Sequence, residues 1–595
     1  MCMNLRNLVL LGVILFTYGC GTSLDPTNIP IQFELSGGTR TSNYEQTIEF
    51  CNKVAEVSPK IRFISIGKTP QGRQIPMLII DQKENFTPTK VHNSGNAVLI
   101  IQANIHAGEP DGNDAGMLLI KRMIAEKSYP HNVTILFLPV VNPDGLARFG
   151  AYNRINQNGP EEVGWRVTAQ NLDLNRDFIK ADAPEMQYWL KMYNTWMPDF
   201  FIDCHVTDGA DFQYVITYIM ETLGNMNPAQ TKWQNKYLDH IKPIMHEAGY
   251  PMFPYVSFRE WHNPRSGLYS RPAPPMMSNG YSAIQNRVEL LVEAHSLKPY
   301  STRVYAILKL FEETIAYIEA DSKNLIKLGK DADKQTEMLA INNDSVPLTY
   351  KLLEINDSVD FEGIEYDMVE SDLTGGEWFV YHTDKPKTFR LPYLKRVEAD
   401  MWAKVPSAFI LGPEWGFVRQ RLDCHKISYY RLTQDIDLET QTWHCANPKW
   451  AQMPKEGRIM LDSVDIEKIN IKKKWIAGSI VVPMNQRRAR LIMSMFYPNS
   501  FDSFLRNGSL NVIFEQREYF ESYVMEVKAR EMLDTIHGLK ERFEQWKSEQ
   551  SRQLTNYEQL EWFYNQTPYS DSKRYIYPIS EVNEEQLRQL SKIWK

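Results

Sequence analysis

Ala97-Val-Leu-Ile-Ile-Gln-Ala-Asn-Ile-His106-Ala-Gly-Glu109-Pro-Asp-Gly112 is the stretch that decides the fold. Its first half is continuously apolar, as expected of a strand covered on both faces, and Asn113 to Ala125 then reads with helical spacing. The polar residues between the two therefore fall at the carboxyl end of a strand, the edge of an open α/β sheet at which sites are built. His106 is the only one of the 12 histidines with a glutamate three residues on. Alone such a pair means little, because a chain of 595 residues would hold roughly one by chance.

Two more strand-like runs give the pair its context. Val133-Thr-Ile-Leu-Phe-Leu-Pro-Val-Val141 ends in Asn142-Pro-Asp-Gly145, and Asp199-Phe-Phe-Ile-Asp203 ends in Cys204-His205. His205 supplies a third donor at the same kind of strand end. Two neutral imidazoles and one carboxylate leave zinc with residual positive charge and an open position for water, the arrangement of a catalytic and not of a closed structural site.

The order of these elements carries a resemblance. His106-Ala-Gly-Glu109, Asn142-Pro-Asp-Gly145, Arg154 in Tyr152-Asn-Arg-Ile-Asn156, Asn171-Leu-Asp-Leu-Asn-Arg-Asp-Phe178 and Asp203-Cys-His205 follow one another as in the carboxypeptidase A-like zinc carboxypeptidases, over roughly residues 40–320. The chain resembles a bacterial exported member of that family. The resemblance implies an α/β catalytic domain with an open mixed sheet flanked by helices. It also implies one Zn2+ per chain on His106, Glu109 and His205, and Asn175 and Arg176 gripping the terminal carboxylate of a peptide, a role that the forked donors of a guanidinium suit.

Further roles follow from the same resemblance. Arg154 fits the arginine that stabilises the oxyanion, with Arg166 competing for the part. The family commonly carries an arginine just before the glutamate, where this chain has Gly108. The general base is a glutamate on a later strand, and Val288-Glu-Leu-Leu-Val-Glu293-Ala-His-Ser offers Glu289 and Glu293 on one face, so alternation does not choose between them. The family's Leu-Val-Glu-Xaa-His-Ser-Leu-Lys-Pro-Tyr pattern favours Glu293. Tyr269, with Tyr281 as its rival, fits the tyrosine that closes over the substrate.

Arg6, the apolar run Leu8 to Phe16 and Thr17-Tyr-Gly-Cys20 read as a secretory signal with a lipobox-like end over 1–20, too short to span a bilayer. The chain is therefore expected to be exported to the periplasm or cell surface of a bacterium and tethered through Cys20. Cys51, Cys204, Cys424 and Cys445 remain, too few for a disulfide scaffold, although Cys424 and Cys445 are near enough in sequence to bridge. A net charge of −7 without basic clusters argues against nucleic acid; the resemblance implies peptides with a free C-terminal carboxylate as partners.

Behind the catalytic domain, 335–460 reads as β-rich, with alternation in Glu377-Trp-Phe-Val-Tyr-His382, and 461–595 as an α-containing region. Ser407 to Leu411 followed by Val418 to Leu422 reads as a strand and a helix. Phe520, Val524, Val527, Ile536, Leu539, Phe543 and Trp546 suit the buried face of one long helix. The expected function is metal-dependent removal of the C-terminal residue from peptides. Two alternatives are an amidase or carboxypeptidase acting on bacterial wall peptides and a non-catalytic surface peptide binder with the same fold.

Overall fold

The structure is a computed structural model describing residues 29–260, 263–354 and 357–595; the expected leader and Cys20 lie outside the described residues. The main sheet is built from β1 (Ile61–Lys68), β2 (Gln74–Ile80), β3 (Ala97–Gln102), β4 (Val133–Leu138), β5 (Phe200–Thr207), β6 (Ile216–Ile219) and β7 (Met252–Pro254). After β8 (Leu268–Tyr269), which belongs to another sheet, β9 (Val288–His295) completes it. The eight strands lie in the order β1-β2-β4-β3-β5-β9-β6-β7. β4, β3, β5 and β9 run parallel at the centre, with β2 and β6 antiparallel beside them. The fold class is thus α/β with an open mixed sheet.

Every residue of β3, β4 and β5 is buried, because both faces of the sheet are covered. Leu99, Ile101, Ile135 and Ile202 pack with helices Tyr44–Val57, Asp111–Glu126, Pro228–Glu247 and Tyr300–Met338. Val98, Ile100, Leu136 and Phe201 face the other way, against Trp189 and Tyr193 of Pro184–Trp196 and Tyr281 of Ser278–Ile284. That second apolar cluster continues into Phe409, Leu411, Ile492 and Phe496 of the C-terminal half. The two halves share one core on this side.

Helix Tyr300–Met338 bends at Asp321 and so runs past the end expected for the catalytic region near 320. Strands then dominate: Ser345–Leu352 pairs with Val397–Lys404, and Asp357–Glu370 with Glu377–Leu394, whose end also receives β8. A six-stranded sheet takes in Ala408–Leu411, Ile436–Trp450, Leu461–Trp475, Ile480–Pro483 and Ile579–Val582. The division expected at 460/461 falls inside the Ile436–Trp450/Leu461–Trp475 hairpin, whose pairing from Ile436–Trp475 to Trp450–Leu461, irregular only around Lys449, makes one unit of the two segments.

The long helix expected from Phe520 to Trp546 is two helices, Ser522–Thr535 and Leu539–Ser548, broken where Gly538 takes a φ of 75°. Its expected buried stripe is also out of phase. Met525, Ala529 and Met532 face inward, while Val524 and Val527 are more than half exposed. All four described cysteines are free and buried, Cys424 and Cys445 included.

Candidate active site

Chain reversal at the end of β3 sets the first two donors. Asn104 adopts a φ of 52°, in the left-handed region that asparagine tolerates, and its amide donates to the Pro139 carbonyl at 3.1 Å. The chain then rises over the sheet edge through His106, the Glu109 amide donates to the His106 carbonyl (3.0 Å), and helix Asp111–Glu126 begins. His205 comes up beside them on β5.

His106 Nδ1, His205 Nδ1 and Glu109 Oε2 form a triangle with sides of 3.1, 3.1 and 3.2 Å. Tetrahedral ligands around Zn2+ at about 2.0 Å stand about 3.3 Å apart, so the donor set and its spacing fit zinc. The outer ring nitrogens are held too. His106 Nε2 meets Asp173 Oδ1 at 2.9 Å; His205 Nε2 lies 3.0 Å from Asp203 Oδ2 and 3.3 Å from Asn175 Nδ2. Carboxylates behind metal-binding imidazoles fix ring orientation and raise ligand basicity.

Electrostatics agree with a cation-seeking site. Burial opposes its charge, yet His106 and Arg154 hold the Glu109 carboxyl well below the usual carboxylate range. Asp173 and Asp203 are likewise lowered against their burial, by His106 and His205 respectively. Burial works against a charged His205, but Asp203 raises it well above the ordinary histidine value.

Strand register separates the two candidate bases. β5 and β9 pair in parallel with His205 beside Glu293 and Phe201 beside Glu289. Glu293 is the one residue of β9 that reaches partial exposure, at the metal end; Glu289 is buried below, near Asp203. Burial pushes the Glu293 carboxyl up to about 7, with Glu109 adding to the rise and His205 opposing it.

Both candidate arginines reach Glu109 Oε1, Arg154 at 2.9 Å and Arg166 at 3.3 Å. Arg154 is largely enclosed and spends its other nitrogens on the Val206 carbonyl and Gln157. Its side chain crosses Gly108, where a Cβ would lie 2.9 Å from Arg154 Cγ. A side chain at 108 would therefore displace Arg154, whose Cγ and Cδ pack over that position. Arg166 binds Asp173 Oδ2 at 3.0 Å, keeps 39% of its side chain exposed and feels the charge of Glu293.

Asn175 is buried behind His205, its oxygen accepting from the Ser278 amide at 2.9 Å. Arg176 is half-buried beside it and donates to the Asn175 carbonyl at 2.7 Å, with no carboxylate partner among the described residues. Tyr269 is half-buried in β8, bound through its backbone to Ser257. Tyr281 is fully enclosed, and its hydroxyl meets Asn194, Gln285 and His425, so it forms part of the core. Two residues that the sequence reading passed over stand at the site. Asp173 backs His106, and Tyr255 lies near Thr207 and Glu293, its phenol pushed up by burial and by Glu293. Asp173 was in view two residues before Asn175; Tyr255 has no motif to mark it.

Residues 47–200 match the zinc carboxypeptidase family. Carboxypeptidase 2 of Trichophyton rubrum is 19% identical over 503 residues, 80% of this chain and 86% of that protein, and its counterpart in Trichophyton equinum is 19% identical over 513 residues, 82% and 87%. Among solved structures, a metallo-carboxypeptidase from Burkholderia cenocepacia aligns with 17% identity and a TM-score of 0.35 over 48% of this chain and 70% of that one. The carboxypeptidase A of Helicoverpa armigera aligns with 16% identity and a TM-score of 0.35 over 49% and 75%. The matched segment runs through the His106–Glu109 loop and the arginine-bearing loop, and His205, just beyond it, closes the donor triangle: over this region the chain is similar to zinc carboxypeptidases and holds a His-Glu-His set that could bind a metal ion.

Proposed function

We propose that the protein is an exopeptidase that removes the C-terminal residue from peptides, with His106, Glu109 and His205 as its zinc ligands. The observation that carries this reading is the donor triangle flanked in register by Glu293. A zinc ion held by these three side chains would supply Lewis acidity toward a carbonyl and a water. Glu293 takes the proton from that water and returns it to the leaving amine, a task suited to a carboxyl held near 7.

Of the two arginines, Arg166 is the better placed to meet the developing oxyanion, because it is partly exposed and coupled to Glu293, whereas Arg154 is occupied in holding Glu109. Arg176 binds the substrate's terminal carboxylate, with the Asn175 amide as a further donor. Tyr269 or Tyr255 covers the bound peptide. The leader over 1–20 delivers the chain out of the cytoplasm and anchors it through Cys20, which labelling with a lipid precursor would test against a Cys20→Ala variant.

The deciding experiment pairs elemental analysis with mass spectrometry of a digested peptide mixture. One zinc per chain and stepwise loss of C-terminal residues are expected. Equal cleavage of free-acid and C-terminally amidated peptides rejects the exopeptidase reading even if zinc is found.

A further inference from the structure

The C-terminal half reaches the loop behind the metal site with a single turn. Lys455 and Arg458 exchange backbone hydrogen bonds of 2.8 and 3.0 Å, closing a tight turn in which Glu456 and Gly457 have φ values of 52° and 72°. A turn with two positive φ angles favours asparagine, aspartate or glycine at its first central position, so the glutamate is there against local preference. Strain of this kind persists where the surroundings hold it, and it clusters at functional sites.

Its side chain supplies the reason. Glu456 Oε2 accepts a hydrogen bond from the Asp173 backbone amide at 2.9 Å. Asp173 in turn receives His106 Nε2 and the Asn175 amide, both on Oδ1 at 2.9 Å, and caps the short helix Leu174–Arg176. One carboxylate from the C-terminal half thus fixes the loop bearing Asp173, Asn175 and Arg176. Glu456 also lines, with Arg176, Ile179, Met276 and Met460, a narrow cleft between the halves. The turn is docked independently of this bond: Arg458 binds Asp182 at 2.8 and 2.9 Å, and Arg421 binds the same carboxylate at 2.7 Å.

We propose that Glu456 is a positioning residue of the active site, holding the Asp173–Arg176 loop so that His106 keeps its orientation and Arg176 its place for the substrate carboxylate. The C-terminal half is then a working part of the catalytic site. The proposal rests on the carboxypeptidase reading for its consequences in turnover, and on the Glu456–Asp173 bond for its structural core.

Glu456→Ala removes the acceptor, and Glu456→Gln keeps a neutral one of similar reach. In the full chain, the alanine variant should release zinc to a chelator about 10-fold faster, the low end for loss of support behind a metal ligand. Its KM for free-acid peptides should rise with kcat nearly unchanged, and amide exchange in the segment around Asp173 should quicken. Glu456→Gln should restore most of all three. Wild-type zinc release, KM and exchange in the alanine variant overturn the proposal. A glutamine variant as impaired as alanine overturns it too, because the proposal assigns the effect to the acceptor. Should the wild type neither hold zinc nor cleave peptides, the carboxypeptidase reading fails by itself, and amide exchange around Asp173 still judges the role of Glu456.

Discussion

β3, β4 and β5 are buried along their whole length, whereas the hairpin Ile436–Trp450/Leu461–Trp475 alternates buried and exposed residues for most of its run. The central strands are covered on both faces, by helices on one side and by helices and the C-terminal sheet on the other, so polar chemistry has nowhere to stand except at strand ends. His106, Glu109, His205 and Glu293 all sit at that edge. The C-terminal hairpin keeps a solvated face and gathers no comparable cluster; it enters the site only through the turn that links its strands. A sheet covered on both sides concentrates function at its rim, and a half-covered sheet contributes through its connections.

The strongest break of this picture is at the rim. His106→Ala and His205→Ala should each lose most of the bound zinc, measured by elemental analysis, because each removes one of three protein donors. Glu293→Gln should keep the metal and lose turnover by several orders of magnitude, since the amide cannot accept the water's proton. Glu289→Gln, one strand-turn deeper beside Phe201, should remain active. The reverse pattern, with Glu289→Gln dead and Glu293→Gln active, would show that strand register does not place the base.

Next in size is Arg176→Ala. Loss of a charge-assisted contact should lower kcat/KM on free-acid peptides by about 2–3 kcal/mol, roughly 30- to 150-fold. Activity of the variant on amidated peptides, expected to be poor in the wild type as well, should barely change. An equal drop on both substrate classes would show that Arg176 supports the loop and does not bind the carboxylate.

What the sequence made legible follows the same division. The apolar run into His106 and the strand ending at His205 are readable because a doubly covered strand leaves an unbroken apolar signature. Glu293 against Glu289 was not readable from alternation, which fixes a face but not the register with β5. Asn175 was expected to share the carboxylate clamp with Arg176; its oxygen accepts from the Ser278 amide, which turns its Nδ2, a donor, toward the His205 side of the site. In the C-terminal half the strands were visible, while the helical stripe from Phe520 to Trp546 ignored the break at Gly538. Glu456 carried no local signal, because its partner lies 283 residues away.

The two carboxylates behind the histidines sharpen the comparison further. Asp173 hangs from a loop fastened by the C-terminal half, and Asp203 from β5 within the sheet. Asp173→Asn and Asp203→Asn should each weaken zinc binding by about 10- to 100-fold in competition with a chelator. Combining each with Glu456→Ala distinguishes the supports. The Asp173 pair should cost less than the sum of its parts because both act through one loop, while the Asp203 pair should be close to additive. Additivity in both would detach the loop from the C-terminal half.

The smallest effect on turnover should come from Asp502, at the seam between the halves. Its carboxylate is buried and accepts from the Met276 amide at 2.7 Å, two residues before the Ser278 that binds Asn175. Burial pushes it up to about 7, against the pull of that amide and of Lys180 and Lys455. Between the unfolded value near 3.8 and about 7 the folded chain therefore holds a proton that the unfolded chain has lost. Stability from this group is fully present at acid pH and falls as pH rises through that window. Asp502→Asn keeps an acceptor for the Met276 amide and removes the titration, so the variant should gain on the wild type as pH goes from about 4 to 8, by a few kcal/mol at most. Thermal unfolding of both proteins across that range tests it, with peptide hydrolysis as the control for an intact site. Parallel stability curves would mean that Asp502 is ionised at the seam and that Lys180 and Lys455 outweigh its burial.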